Sequence, residues 1–378
     1  MDSGNPDLVA LIRERIRRQG PASFAWFMEQ ALYHPEFGYY GSGHCEIGRH
    51  GDYFTNVSVG PLFGRMLAAQ FAEMWEVLGR PPDFAIVEQG AHHGDFAKDV
   101  LEAIRERALA FYSSLRYCLI EPFPILQARQ SETLRNFDGK VMWRKSLAAL
   151  EPFSGVHFSN ELLDSMPVRL ITLNGNGEWE ERLVFESAGG FAFVAKPIAD
   201  EKLLRHLEKI PRHPGTIYET EVNLAALGWI ESLCCKLIRG FVLAIDYGYV
   251  RSDFYAAERT TGTLQSCAGH RTISSPLEEI GGIDITAHVD WSSVAERAEE
   301  SGLTLTGFTD QHHFMTGLLS QLTPQESERR ALQTLLHPEF LGTRFQYLAL
   351  GKNVPPNQLS GFRFARDARE TLWRNTGF

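Results

Sequence analysis

Phe84-Ala85-Ile86-Val87-Glu88-Gln89-Gly90-Ala91-His92-His93-Gly94-Asp95 reads as a short apolar strand, a glycine turn and the start of a helix. Gly90 suits a tight turn and Gly94 a close helix approach. Asp95 is expected to cap a helix running over 95–107. The turn is not the dinucleotide GxGxxG pattern, and it lacks the Lys-Ser/Thr of a phosphate loop. The same unit recurs downstream. Tyr117-Cys118-Leu119-Ile120-Glu121 is a second apolar run, followed by a helical pattern over 125–134. Runs at 141–143 and 156–159 come next, and 241–245 is a fifth, ending in Asp246-Tyr247-Gly248. Strands alternating with helices imply βαβ units and a parallel sheet.

Outward from this core the pattern changes. Leu8, Leu11, Ile12 and Ile16 recur at helical spacing beside Arg13, Arg15, Arg17 and Arg18. A basic amphipathic start raises the possibility of a mitochondrial presequence, but Asp7 and Glu14 favour an ordinary solvated helix. A second helix is predicted over 24–32, a polar glycine-rich loop over 41–60, and a long helix from Pro61 through Leu78. Residues 168–198 interrupt the alternation with hairpin signals at Asn174-Gly175-Asn176-Gly177 and Gly189-Gly190. Helices are expected at 203–207 and 222–238, then a long loop, a helix at 292–301, a strand at 303–308, helix over 312–336 and a last strand at 345–350. The division that follows is an N-terminal cap (1–80), a first half-core (81–167), an insertion (168–235) and a second half-core (236–378).

The 378 residues are 44% hydrophobic and 22% charged, which is ample for a packed core. A formal charge of -10 argues against a broad nucleic-acid or anionic-membrane surface. No apolar run is long enough to span a bilayer. Five cysteines without a CxxC pair exclude a disulfide framework and a cysteine-rich zinc site. A cytoplasmic protein without a metal is the expectation.

Ligands of open parallel sheets sit at the carboxyl ends of the strands. Glu88-Gln89-Gly90, Glu121-Pro122, Asn160-Glu161 with Asp164, and Asp246-Tyr247-Gly248 occupy those ends. An acid at Glu121, closing the second strand, suits both hydroxyls of a ribose. Pro122 suits the first turn of the next helix and would leave that acid free. The alternative is a helix-capping role. Glu161 and Asp164, three apart, would share one face of a helical turn, or else serve as solvated caps. The paired histidines His92-His93 and His312-His313 lack metal-ligand spacing.

As an ordered set, further motifs resemble the MidA family of S-adenosylmethionine (SAM)-dependent methyltransferases. They are Ala31-Leu32-Tyr33-His34-Pro35-Glu36-Phe37-Gly38-Tyr39-Tyr40, Gly51-Asp52-Tyr53-Phe54-Thr55, Pro61-Leu62-Phe63-Gly64, Asn160-Glu161-Leu162-Leu163-Asp164-Ser165-Met166-Pro167, Gly262-Thr263-Leu264 and Asp284-Ile285-Thr286-Ala287-His288-Val289-Asp290. The resemblance implies a class I methyltransferase-like, Rossmann-like α/β sheet and methyl transfer to a protein arginine. It implies cofactor contacts from Glu88, Gly90, His92, Gly94, Glu121 and Asn160. It places Asp52, Glu161 and Asp164 at the substrate. The family's first loop reads E-x-G-P-G-x-G, and here Ala91 and His92 stand for the proline and the middle glycine. Ser165 stands for its usual alanine. Two rival readings remain on sequence grounds: a non-catalytic binding or assembly factor, and a small-molecule methyltransferase.

Overall fold

A computed structural model describes residues 4–43, 56–213, 217–268, 271–322, 324–356 and 358–373. By its internal contacts the chain divides into two units. One holds 1–54, 163–226 and 251–290, and the other holds 55–162, 227–250 and 291–378. These cut across the four segments read from the sequence. The long helix after Pro61 belongs with the sheet unit, and the loop-rich 251–290 with the N-terminal helices.

The sheet unit contains α1 (Leu62–Val77), β1 (Phe84–Gln89), α2 (Asp95–Arg107), β2 (Leu115–Ile120), α3 (Pro124–Thr133), β3 (Val141–Arg144) and β4 (Phe153–Asn160). It continues with α4 (Leu224–Lys236), whose first turn is drawn from the other unit, then β5 (Leu237–Tyr249), α5 (Trp291–Glu300), β6 (Thr304–Asp310), α6 (Gln311–Leu318) and β7 (Phe345–Lys352). The strands run in the order β6–β7–β5–β4–β1–β2–β3. β1 to β5 pair in parallel, and β7 is antiparallel to both β5 and β6. Central strands are covered on both faces, which is why 84–88 and 241–245 carry uninterrupted apolar residues. The chain winds outward from β1 to β3, then returns to β4 on the other side of β1. That reversal makes the carboxyl ends of β1 and β4 a topological switch point.

Pro61-Leu62-Phe63-Gly64 opens α1, and its glycine is a packing device. A Cβ on Gly64 would lie 2.5 Å from the Asp99 Cβ of α2, so the two helices meet there without a side chain between them. The predicted helix over 312–336 is broken into α6 and a separate segment, Arg329–Leu336. Residues 161–168 form bends and turns, so the helical turn expected to align Glu161 with Asp164 is absent.

The other unit packs the helices Pro6–Gln19 and Phe24–Tyr33 on an antiparallel sheet. That sheet orders the strands Ala22–Ser23, Trp179–Ser187, Arg169–Leu173 and Tyr218–Val222, with Gly190–Pro197 paired to Trp179–Ser187. The 168–198 hairpins are therefore present. The strand Tyr218–Val222 escaped sequence reading because its glutamates and threonine mask the alternation. Glu221 is buried there and accepts the N–H groups of Thr263 and Leu264 at 2.8 and 2.7 Å, and burial lifts its carboxyl to about 6. Gly262-Thr263-Leu264 is thus a turn folded onto a buried acid, and the Thr263 hydroxyl accepts the His288 N–H at 2.9 Å. Tyr40 donates to Asp284 at 2.7 Å, which ties the His34–Tyr40 turn to the 284–290 motif. The expected long loop carries a small sheet of Gln265–Ala268, Arg271–Thr272 and Asp284–Thr286.

Candidate cofactor and substrate site

The turn after β1 is left-handed at three alternating positions. Gly90 has φ +85°, His92 +45° and Gly94 +85°. Glycine adopts this region at no steric cost, while a histidine is held there at some expense. His92 thus adopts a left-handed backbone that glycine would take without strain. Gly94, not Asp95, occupies the cap position of α2, and Asp95 instead places its charge in the first turn, where the helix dipole favours it. The His92 and His93 rings stack at 3.8 Å, and Arg129 of α3 lies 3.1 Å from His93 Nε2.

Glu121 follows β2 and is buried. Its carboxylate is not free, as had been expected from Pro122. The helix α3 begins at Pro124, and Glu121 Oε1 accepts the Phe123 N–H at 3.0 Å. Its Oε2 accepts from Gln130 Nε2 at 2.9 Å. Burial still dominates and raises the carboxyl to about 7, against the lowering effect of these two donors. Two oxygens carry about four acceptor sites, so capacity for two ribose hydroxyls remains.

Gln130 was missed in the sequence. It lies on the inner face of α3 with no exposed surface, one helical turn from Leu126 and from Leu134. Its Nε2 also donates to the His92 carbonyl at 2.9 Å, and its Oε1 accepts from Trp143 Nε1 of β3 at 3.0 Å. A polar residue at a core spacing was the available signal.

The ends of β1 and β4 adjoin. A Cβ on Gly90 would lie 3.6 Å from Leu162 and 4.0 Å from the Asn160 carbonyl. Asn160 donates to Glu161 Oε1 at 2.8 Å and accepts from Asn56 Nδ2 at 3.1 Å. Asn56 is fully buried, and its Oδ1 has no partner among the described residues. Glu161 is also left-handed, at φ +53°, pinned by its N–H to the Ile245 carbonyl at 2.9 Å. Non-glycine residues strained in this way concentrate at functional sites.

Not every expected residue converges here. Glu88 points into the sheet's buried face, where it accepts from Tyr117 at 2.6 Å and burial lifts it to about 7. That hydrogen bond ties β1 to β2. Asp246 is buried and accepts the adjacent Tyr247 N–H at 2.8 Å. Asp164 is buried within the other unit, with its carbonyl accepting from the Ala287 N–H at 2.8 Å. The neighbouring Ser165 accepts from Tyr33 at 2.9 Å. Asp52 lies outside the described residues. Among the described residues no cluster of His, Cys, Asp and Glu has the makings of a metal site, and no helix is long and apolar enough to cross a membrane.

A parallel sheet with antiparallel β7, a left-handed turn at the switch point and an acid closing the neighbouring strand define a class I methyltransferase. The chain belongs to the family of S-adenosyl-L-methionine-dependent methyltransferases, whose model matches residues 66–309, and the MidA resemblance agrees with it. A Burkholderia thailandensis protein crystallised with S-adenosyl-homocysteine is 31% identical, with a TM-score of 0.85 over 96% of this chain and 98% of that one. The Drosophila melanogaster protein arginine methyltransferase NDUFAF7 homolog, mitochondrial, is 26% identical over 93% of this chain and 86% of its own. Its human counterpart is 26% identical over 94% and 85%. SAM is the cofactor, and the residues fit it: a left-handed turn through Gly90, His92 and Gly94, and a buried acid with spare acceptor capacity. The expectation of a cytoplasmic location is corrected by the NDUFAF7 relatives, which are named as mitochondrial proteins.

Proposed function

We propose that the protein transfers the methyl group of SAM to an arginine side chain of a protein. The observation that carries this is the Asn160–Glu161 pair at the switch point. It offers a fixed carboxylate for a guanidinium, in a chain similar along most of its length to proteins named arginine methyltransferases. SAM supplies an electrophilic methyl group. A guanidinium is cationic with a very high pKa, so the protein must neutralise it and receive its proton. Glu161 binds it, and Asn160 steadies that carboxylate by donating to its Oε1 at 2.8 Å. Gly90, His92 and Gly94 shape the turn that admits the cofactor's tail, and Glu121 accepts the ribose hydroxyls. Positioning supplies most of the rate.

The test is transfer of labelled methyl from SAM to a mitochondrial protein extract, with amino-acid analysis of the labelled product. Methylarginine in the wild type and its loss in Glu161→Gln are expected. Label on small molecules, or on residues other than arginine, would overturn the assignment of substrate.

A further inference from the structure

We infer that Gln130 is a positioning residue of the cofactor site, setting at once the turn at His92 and the carboxylate of Glu121. The inference rests on the reading of Glu121 as the ribose acceptor. One primary amide has two N–H donors and one carbonyl, and here each has a designated partner. The two donors reach the His92 carbonyl and Glu121 Oε2, both at 2.9 Å, and the carbonyl takes the Trp143 indole at 3.0 Å. Three successive strand ends, those of β1, β2 and β3, are therefore locked by one side chain with no exposed surface. No other amino acid offers that donor–acceptor set with this reach.

The surroundings make the lock specific. Gly94 packs on Gln130: a Cβ there would touch its Cα and Cγ at 3.5 Å, so the turn and the amide are fitted to one another. The carbonyl that Gln130 holds belongs to the strained residue of the turn, His92 at φ +45°. The oxygen of Glu121 that it holds is the one not engaged by Phe123. With that oxygen fixed, the remaining lone pairs of the carboxylate have one orientation, and the ribose meets a prepared acceptor rather than a rotating one. The ionisable groups on the elements around Glu121 include Glu88 of β1, His92 and His93 of the turn, Arg116, Tyr117 and Cys118 of β2, Arg129 and Glu132 of α3, and Arg144 of β3.

The experiment is calorimetric titration of S-adenosyl-homocysteine into the full chain as wild type, Gln130→Met, Gln130→Glu, Glu121→Ala and the Gln130→Met/Glu121→Ala pair, at pH 6 to 9. Gln130→Met keeps the length and removes all three hydrogen bonds. It should weaken binding roughly tenfold or more. Gln130→Glu keeps the acceptor for Trp143 and removes the donors, and is expected to lose affinity as well. The double variant should lose less than the sum of the two single losses, because part of the effect of Gln130 passes through Glu121 and the rest through the His92 turn. Losing a donor to the charged form raises the Glu121 pKa, so the pH midpoint of affinity should move upward in Gln130→Met. Wild-type affinity in both Gln130 variants, or losses that add in the double variant with an unmoved midpoint, would overturn the inference. Wild-type affinity in Glu121→Ala would instead remove the ribose reading beneath it. Thermal melting identifies any variant that fails to fold, and the remaining Gln130 variant then decides.

Discussion

Cofactor affinity should rise with pH through the titration of Glu121. The carboxyl stands at about 7 in the free protein, chiefly because it is buried. Ribose hydroxyls donate, so the ionised acid is the binding form, and its protonated form has lost an acceptor. Each pH unit below the pKa then costs about a factor of ten in affinity, or about 1.4 kcal/mol. Between pH 8 and pH 6 the ionised fraction falls from about nine-tenths to about one-tenth, so S-adenosyl-homocysteine should bind roughly tenfold more weakly at the lower pH. Glu121→Gln should flatten the profile and weaken binding at pH 8 by about 1.5–3 kcal/mol, the scale of a hydrogen bond to a charged group. Titration calorimetry at four pH values reads both effects. Adenosine, which lacks the amino-acid tail, is the control, and it should show the same slope. A slope of opposite sign, with affinity falling as pH rises, would mean that protonated His92 or His93 pairs with the ligand's carboxylate. A flat wild-type profile, or an equal slope in Glu121→Gln, would refute the reasoning about Glu121.

Three further outcomes are expected. His157 is fully buried in β4 against Trp229, its ring nitrogens have no partner among the described residues, and burial lowers it to about 3. A lowered histidine pKa means that the unfolded chain binds the proton first, so its contribution is present at neutral pH and lost as pH falls below about 6.5; at pH 5 the loss is ~2 kcal/mol. His157→Leu should remove that share of acid sensitivity in urea denaturation, and an unchanged pH slope would contradict it. Tyr117→Phe takes away the donor to buried Glu88 and should cost about 1–3 kcal/mol in the same assay while sparing the cofactor's ribose contact. His92→Gly should preserve cofactor binding because glycine accepts the left-handed turn freely, whereas His92→Val should abolish it, because a β-branched residue is an outlier at φ +45°. Equal binding by both variants would show that the turn's conformation is not what the ligand requires.

The parallel core was legible because a buried strand must be apolar on both faces. The runs at 84–88, 117–120, 156–159 and 241–245 have no other reading when helices alternate with them. The residues at the strand ends followed from that topology, so Gly90, Glu121 and Asn160 were located before any coordinates. What the sequence leaves open is where a polar side chain points and which partner satisfies it. Glu88 lies near the end of one strand and Glu121 follows the next, yet one is turned to Tyr117 inside the sheet, and the other to Gln130 and the Phe123 N–H. Gln130 lies nine residues from Glu121 and far from His92 and Trp143 in the chain, and only folding makes it their common partner. The strand Tyr218–Val222 was hidden for the same reason, since its buried Glu221 is tolerable only once the backbone of Thr263 and Leu264 is brought to it. Apolar periodicity is local and survives in one dimension. Hydrogen-bond satisfaction of buried polar groups is a long-range condition, and the tertiary structure alone meets it.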